Sequence, residues 1–257
     1  FGRHRFGLHF HNFHHLNRLA DETPFLSAFT LRHLHGKEIL RFIVFFHKIK
    51  YTKILSKCNN SHSSFLPLNF MILVVGLGNP GKEYQGTRHN IGRAVLERAA
   101  KECGVGDFSF DKKVNAHLAE AKCGKEKLLF VLPDTFVNKT GSAVGPLLRS
   151  FKIKPKSLFL IHDDADIALG SSKLSFGRNS AGHKGVESVI RAIKTKEFWR
   201  FRIGIAGKRN IPAEKLVLKK FTPEEQRIIN RIKKRTIDAL AIAASEGPEK
   251  AMNDYNQ

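Results

Sequence analysis

The sequence has little cysteine: Cys58, Cys103 and Cys123 are all it carries in 257 residues. An odd, scattered set makes neither a disulfide framework nor a metal-ligand spacing, and it points to a reducing compartment. No apolar run approaches the roughly 18 residues of a membrane-spanning helix. Acid is also scarce, with Asp+Glu 23 against Lys+Arg 44 and a net charge of +21 at pH 7. That excess suggests a polyanionic partner, nucleic acid before membrane; a basic surface kept for solubility is the other reading. Apolar residues make up 42%, enough for a real core, and the length allows one or two domains.

The first seventy residues are unlike the rest. They hold nine of the thirteen histidines and eleven of the 21 phenylalanines, but only three acids, Asp21, Glu22 and Glu38. The chain starts at Phe1, and its first methionine is Met71. Three readings of 1–70 stay open. It is an over-extended reading frame with the true start at Met71, a basic and acid-poor targeting segment, or an added module whose His4, His9, His11, His14 and His15 bind metal. A chain beginning at Met71 is expected to fold, with the working domain at 71–257.

From Met71 the pattern changes. Met71–Val75 is a run of five apolar residues, suited to a strand buried on both faces of an α/β sheet. Gly76-Leu77-Gly78-Asn79-Pro80-Gly81 then forces a tight turn at the strand's carboxyl end, where open α/β sheets place ligands. His89 follows between Arg88 and Asn90, and Ile91, Val95, Leu96 and Ala99 carry helical periodicity as far as Cys103. The spacing Gly76–Gly81 also fits the dinucleotide fingerprint G-x-G-x-x-G. That fingerprint needs its last glycine to open a helix and an acid about 20 residues on, at the end of a second strand. Here Pro80-Gly81 continues the turn, and Glu97 and Glu102 fall inside the predicted helix.

Further on, Val114–Cys123 and Lys127–Leu132 read as strands joined by Gly124-Lys125-Glu126. Gly141–Phe151 reads as a helix with Val144, Leu147, Leu148 and Phe151 on one side. Ser157–Ile161 is a short strand ending in His162-Asp163-Asp164-Ala165-Asp166. A strand at Lys173–Phe176, a glycine-bearing loop at Gly177–Gly185, a helix at Val186–Lys194 and a strand at Phe201–Ala206 follow. Thr222-Pro223-Glu224-Glu225 is a capping box with proline at the first helical position, opening a helix to about Ser245. Strands alternating with helices predict one three-layer α/β domain. Its central sheet should be mixed but mostly parallel, with helices on both faces.

Polar residues gather at the predicted strand ends: Asn79, His89, Asn138, Asp163 and the segment Gly182-His183-Lys184-Gly185. Each has a plain use. Asn79 suits a turn, His89 a surface, Asn138 a helix cap, and Asp163, Asp164 and Asp166 turns, caps or a cation site. No fourth acid stands at a spacing suited to a dedicated metal cage. Together, a histidine, a carboxylate to orient it and several amides are the parts of a site that activates water and holds an oxyanion.

In one order stand GLGNPGKEYQGTRHNIG at 76–92, FVNKTG at 136–141, HDDAD at 162–166, GHKG at 182–185 and FRIGIAG at 201–207. This set resembles the bacterial-type peptidyl-tRNA hydrolases, over Met71 to about Gln257. The resemblance implies hydrolysis of the ester between peptide and tRNA, releasing the tRNA for translation, without metal or cofactor. It implies His89 as the base that draws a proton from water and Asp163 as its orienting carboxylate. Asn79 and Asn138 would bond the substrate near the scissile carbonyl, and Tyr84 would help position the tRNA 3′ end. Lys184 stands where the family commonly has asparagine. A lysine keeps donors but has no acceptor, so a donor role toward substrate is the expectation there. A cytoplasmic monomer, not associated with a membrane, holding the tRNA acceptor end through a basic surface is expected. That surface would draw on Lys194–Lys220 and on Arg227, Arg231, Lys233, Lys234 and Arg235. A non-catalytic RNA-binding protein of this fold, and a nucleotide-dependent oxidoreductase, are the competing readings. Having both His89 and Asp163 favours the enzyme.

Overall fold

The computed structural model describes residues 71–123, 126–207 and 211–256. The segment 1–70, Gly124, Lys125, Lys208 and Arg209 of the expected basic surface, Asn210 and Gln257 lie outside the described residues. The strands are β1 (Met71–Gly76), β2 (Ser109–Asp111), β3 (Ala116–Cys123), β4 (Glu126–Pro133), β5 (Leu158–Ala168), β6 (Ser172–Phe176) and β7 (Trp199–Ala206). The helices are α1 (Ile91–Glu102), α2 (Gly141–Ser150), α3 (Lys184–Ile193), α4 (Ala213–Leu216), α5 (Pro223–Glu246) and α6 (Pro248–Tyr255).

The strands form one sheet in the order β2-β3-β4-β1-β5-β7-β6. Strands β4, β1, β5 and β7 run parallel. Antiparallel β2 and β3 extend one side, and antiparallel β6 closes the other. Leu73, Val74 and Val75 of the apolar run in β1 are buried, on both faces of the sheet, while Met71 and Ile72 are half-buried. Val74 packs toward Val95, Leu96 and Ala99 of α1 and Ile229, Ile232 and Leu240 of α5. Leu73 and Val75 belong to the opposite core, with Val144, Leu147 and Leu148 of α2 and Val186 and Val189 of α3. The alternation is the two-residue period of a strand. Because β4 and β5 lie on either side of β1, the chain's direction of travel reverses there. The carboxyl ends of these strands frame the crevice that such a reversal opens.

The structure corrects several local expectations. Strand β5 does not stop at Ile161 but runs to Ala168, with His162, Asp163 and Asp164 paired to Arg202, Ile203 and Gly204 of β7. Asp163 and Asp164 are therefore strand residues, not turn or cap residues. Their polar composition read as a loop, yet β7 supplies the backbone partners and tertiary neighbours satisfy the side chains. Helix α3 begins at Lys184, with His183 as its cap, two residues before the expected Val186. Phe151 is 42% exposed instead of completing the buried face of α2. Short β2 and α6 had no periodic signal long enough to read. The capping box of α5 is present: Glu225 N–H donates to Thr222 Oγ1, and Thr222 N–H donates to Glu225 Oε2.

Gly92 sets how closely α1 can approach the sheet. A Cβ there would lie 2.1 Å from the Ile161 carbonyl oxygen and 2.7 Å from the Leu77 backbone. Gly92→Ala is expected to destabilise the domain by more than about 2 kcal/mol, because the obstacle is backbone and cannot rotate away. A urea-unfolding midpoint equal to that of the parent would contradict this close approach.

Candidate active site

Five segments deliver side chains to the crevice. The glycine turn after β1 brings Asn79. The 3-10 turn Arg88–Asn90, just before α1, brings His89. The 3-10 turn Val137–Lys139, after β4, brings Asn138. Strand β5 brings Asp163, and the cap of α3 brings His183.

Asp163 is the centre. Its side chain is 2% exposed, and Oδ1 lies 2.9 Å from His89 Nδ1 and 3.1 Å from His183 Nε2. The hydrogen-bond network assigns both tautomers. His183 Nδ1 accepts from the N–H groups of Gly185 and Val186 at 3.1 and 3.2 Å, so the ring proton sits on Nε2 and is donated to Asp163. A carboxylate only accepts, so His89 donates from Nδ1. The lone pair of His89 is left on Nε2, on a ring whose side chain is 16% exposed. Burial alone would raise the Asp163 carboxyl; the facing His183 and His89 overcome it and hold the group well below the usual carboxylate range. His162 lies beneath, edge-on to the His183 ring at 4.6 Å, with Nδ1 donating to the Asp163 carbonyl at 2.6 Å. Burial, with His183 adding to it, pushes its pKa well down and keeps it neutral.

The His89 turn is fastened on several sides. Arg88 and His89 N–H groups donate to the carbonyls of Lys219 and Val217 at 2.9 Å. The buried Arg88 guanidinium donates to Ile205 O at 3.2 Å and Glu225 Oε2 at 2.6 Å, and lies 4.8 Å over the Phe221 ring. Asn90 exchanges two hydrogen bonds with the Asn79 backbone, at 2.9 and 2.8 Å. Asn79 Oδ1 accepts from Val137 N–H at 2.9 Å. That bond fixes the amide and leaves its NH2 to donate.

Of the residues expected from sequence, His89 and Asp163 meet directly, and Asn79 sits within the same hydrogen-bonded frame. Asn138 is exposed on the neighbouring turn. Tyr84 packs edge-on to the half-exposed Phe136, with ring centroids 6.3 Å apart. Lys184 points away: its side chain is 71% exposed, with Nζ 3.9 Å from Glu214 Oε1. His183 was missed as an individual residue, although its G-H-K-G segment was singled out. Its partner Asp163 is 20 residues back in sequence, a separation no local pattern reveals. The Arg88–Glu225 tie, spanning 137 positions, was equally illegible.

His89, Asp163 and His183 offer ligand atoms all within 4.8 Å of one another, close enough for a metal ion. The chemistry of His183 does not suit one. Coordination through Nε2 would move its proton to Nδ1, against the two backbone N–H groups already bonded there. The glycine turn likewise does not fit the dinucleotide fingerprint, whose last glycine opens the helix: Gly81 leads into the short 3-10 turn Lys82–Tyr84, and α1 begins only at Ile91, ten positions past Gly81.

The peptidyl-tRNA hydrolase family model matches residues 73–257. The chain belongs to the peptidyl-tRNA hydrolase family. It is 39% identical over 187 residues to the peptidyl-tRNA hydrolase of Aquifex aeolicus, covering 72% of this chain and 96% of that protein. The protein of the same name from Dehalococcoides mccartyi strain BAV1 is 41% identical over 192 residues, covering 72% and 100%. The crystal structure of Acinetobacter baumannii peptidyl-tRNA hydrolase superposes with a TM-score of 0.68 at 28% identity, covering 77% of this chain and 97% of that one. The three-layer fold with its mixed sheet is therefore the family's.

Asp163 also links the site to acid stability. Its folded pKa is depressed, so it stabilises the fold above the unfolded carboxylate pKa. That contribution is lost as pH falls below about 4. Unfolding free energy measured from pH 5 downward should fall more steeply in the parent than in Asp163→Asn. Parallel curves would mean that the carboxylate carries no linkage.

Proposed function

We propose that the chain hydrolyses the ester joining a peptide's terminal carbonyl to the 3′ oxygen of tRNA, with His89 as general base. The observation that carries this reading is the Asp163–His89 bond, which leaves an oriented lone pair on His89 Nε2. A water held there gives up a proton to Nε2 as its oxygen attacks the ester carbonyl. The imidazolium that forms is stabilised by Asp163 across 2.9 Å. The Asn79 NH2 and Asn138 donate to the developing oxyanion and the adjacent peptide. As the tetrahedral intermediate collapses, the imidazolium proton goes to the leaving 3′ oxygen, and the peptide leaves as its carboxylic acid, which gives the second water proton to solvent and ionises. Tyr84, with Phe136 behind it, offers an aromatic surface for the terminal base.

Affinity is assigned to cations around the crevice. Lys215, Lys219, Lys220, Arg227 and Arg231 are exposed, and the loop bearing Lys219 and Lys220 is bonded to the His89 turn. Three members of the expected basic set are buried or paired within the fold. Arg200 is buried, and burial with the neighbouring Arg202 pushes its guanidinium down to about 10. Arg202 Nε pairs with Asp164 Oδ2 at 2.7 Å. Arg235 bonds the Tyr255 carbonyl. Among the described residues no helix is long and apolar enough to cross a membrane. A cytoplasmic monomer is the state assigned with this reading.

The deciding experiment is release of peptide from peptidyl-tRNA by the purified protein with a chelator present. His89→Ala should lower turnover by roughly 10²–10⁴ while tRNA affinity stays near that of the parent. Equal turnover would remove His89 as the base. Undiminished tRNA binding with no hydrolysis by the parent would favour the non-catalytic RNA-binding reading.

Lys184 is assigned to the basic surface instead of the ester. An exposed ion pair such as the one it makes with Glu214 contributes little. Lys184→Ala should therefore keep turnover and KM within about threefold of the parent. A larger loss, recovered by Lys184→Asn, would return the residue to the substrate.

A further inference from the structure

One groove beside the crevice meets the mechanism only at Asn138, and the rest of its lining is not used by it. It has a volume of about 330 Å³ and is lined by Asn138, Lys139, Gly141 and Ser142 on one wall and Ser188, Arg191 and Ala192 on the other. Its walls are fixed. Gly141 N–H donates to Ser188 Oγ at 3.0 Å, and a Cβ on Gly141 would lie 2.2 Å from the Ser188 carbonyl. The groove is also tied to the reacting centre through one turn. Val137 is buried, bonds Asn79 through its N–H, and lies where a Cβ on Gly185 would meet it at 2.5 Å. The next two residues of that turn, Asn138 and Lys139, are exposed on the groove.

The lining contains two cations and no acid. Among the described residues neither Lys139 nor Arg191 has a carboxylate within ion-pair distance, and the Asn138 side chain makes no hydrogen bond. The Lys139 ammonium and the Arg191 guanidinium together offer donors and positive charge, the chemistry that recognises a phosphate. The volume, about 330 Å³, falls at the lower end of the range of small-molecule clefts, about 300–1,000 Å³.

Resting on the function proposed above, we infer that this groove binds a phosphodiester of the substrate's single-stranded 3′ end. The peptide is the less suitable occupant. Peptides differ in every side chain, whereas the 3′ tail of tRNA is the same in each substrate. A site with fixed charge gains only from a constant partner. Binding through phosphate also gives affinity without sequence readout.

The test compares two substrates: peptidyl-tRNA, and the same peptide esterified to adenosine, which carries no phosphate. For Lys139→Ala/Arg191→Ala, KM for peptidyl-tRNA should rise about tenfold at low salt, with turnover unchanged. The slope of log KM against log salt should shrink by roughly 0.7 for each phosphate that is no longer neutralised. KM for the adenosine ester should not move, and Lys139→Arg/Arg191→Lys should keep the parental values. An unchanged KM and slope on peptidyl-tRNA would overturn the inference. So would an equal KM rise on both substrates, which would assign the groove to the peptide. Failure of the parent to cleave either ester would instead sink the hydrolase reading itself.

Discussion

The site depends on a single buried carboxylate oxygen, Asp163 Oδ1, accepting from two imidazoles. A lone carboxylate at 2% exposure would take up a proton to escape the cost of burial. Two N–H donors reverse that balance and keep it charged. The charge then fixes the tautomer of both rings. His183 is constrained from its other side as well, because its Nδ1 caps α3. The direction of polarity therefore runs from the N-terminus of a helix, through His183, to Asp163. Only His89 is left with an open lone pair.

The fold delivers these groups because the chain reverses its direction of travel at β1. β4 and β5 end on either side of it, so Asn79, the Val137–Lys139 turn and Asp163 emerge at one level. Strand β7 then does two things for β5. It carries the strand past His162 into its polar stretch, and its Arg202 takes Asp164, so that Asp163 alone faces the histidines. Precision on the His89 side comes from Arg88. Its guanidinium joins the His89 turn to the carboxyl end of β7 and to the first turn of α5.

Chemistry and affinity are kept apart in this molecule. Of the reacting groups Asp163 is buried and His89 and Asn79 are half-buried, and together they carry one negative charge. The cations suited to phosphates lie on exposed helices and loops around the crevice. Several arginines that composition alone would count toward that surface are buried or paired within the fold. Net charge thus overstates the part available to a polyanion, and the arrangement of the remaining cations matters more than their number.

The sequence by itself determined the elements whose cause is local. The buried run of β1, the glycine turn, the periodicity of α1 and the capping box of α5 are each written in adjacent residues. The set of ordered motifs, together with the family they resemble, also named His89, Asp163, Asn79 and Asn138 as belonging together. Only the tertiary structure decided what those residues touch. A histidine, an aspartate and a second histidine at 89, 163 and 183 share one oxygen because three separate elements end at one crevice. Local pattern likewise ended β5 at Ile161, since its polar continuation is stable only with β7 beside it. Lys184 shows the same division: its place in a motif suggested the substrate, but its position at the start of α3 turns it toward solvent and Glu214. Side-chain direction and long-range pairing are set by packing between elements distant in the chain, and no window of neighbouring residues contains them.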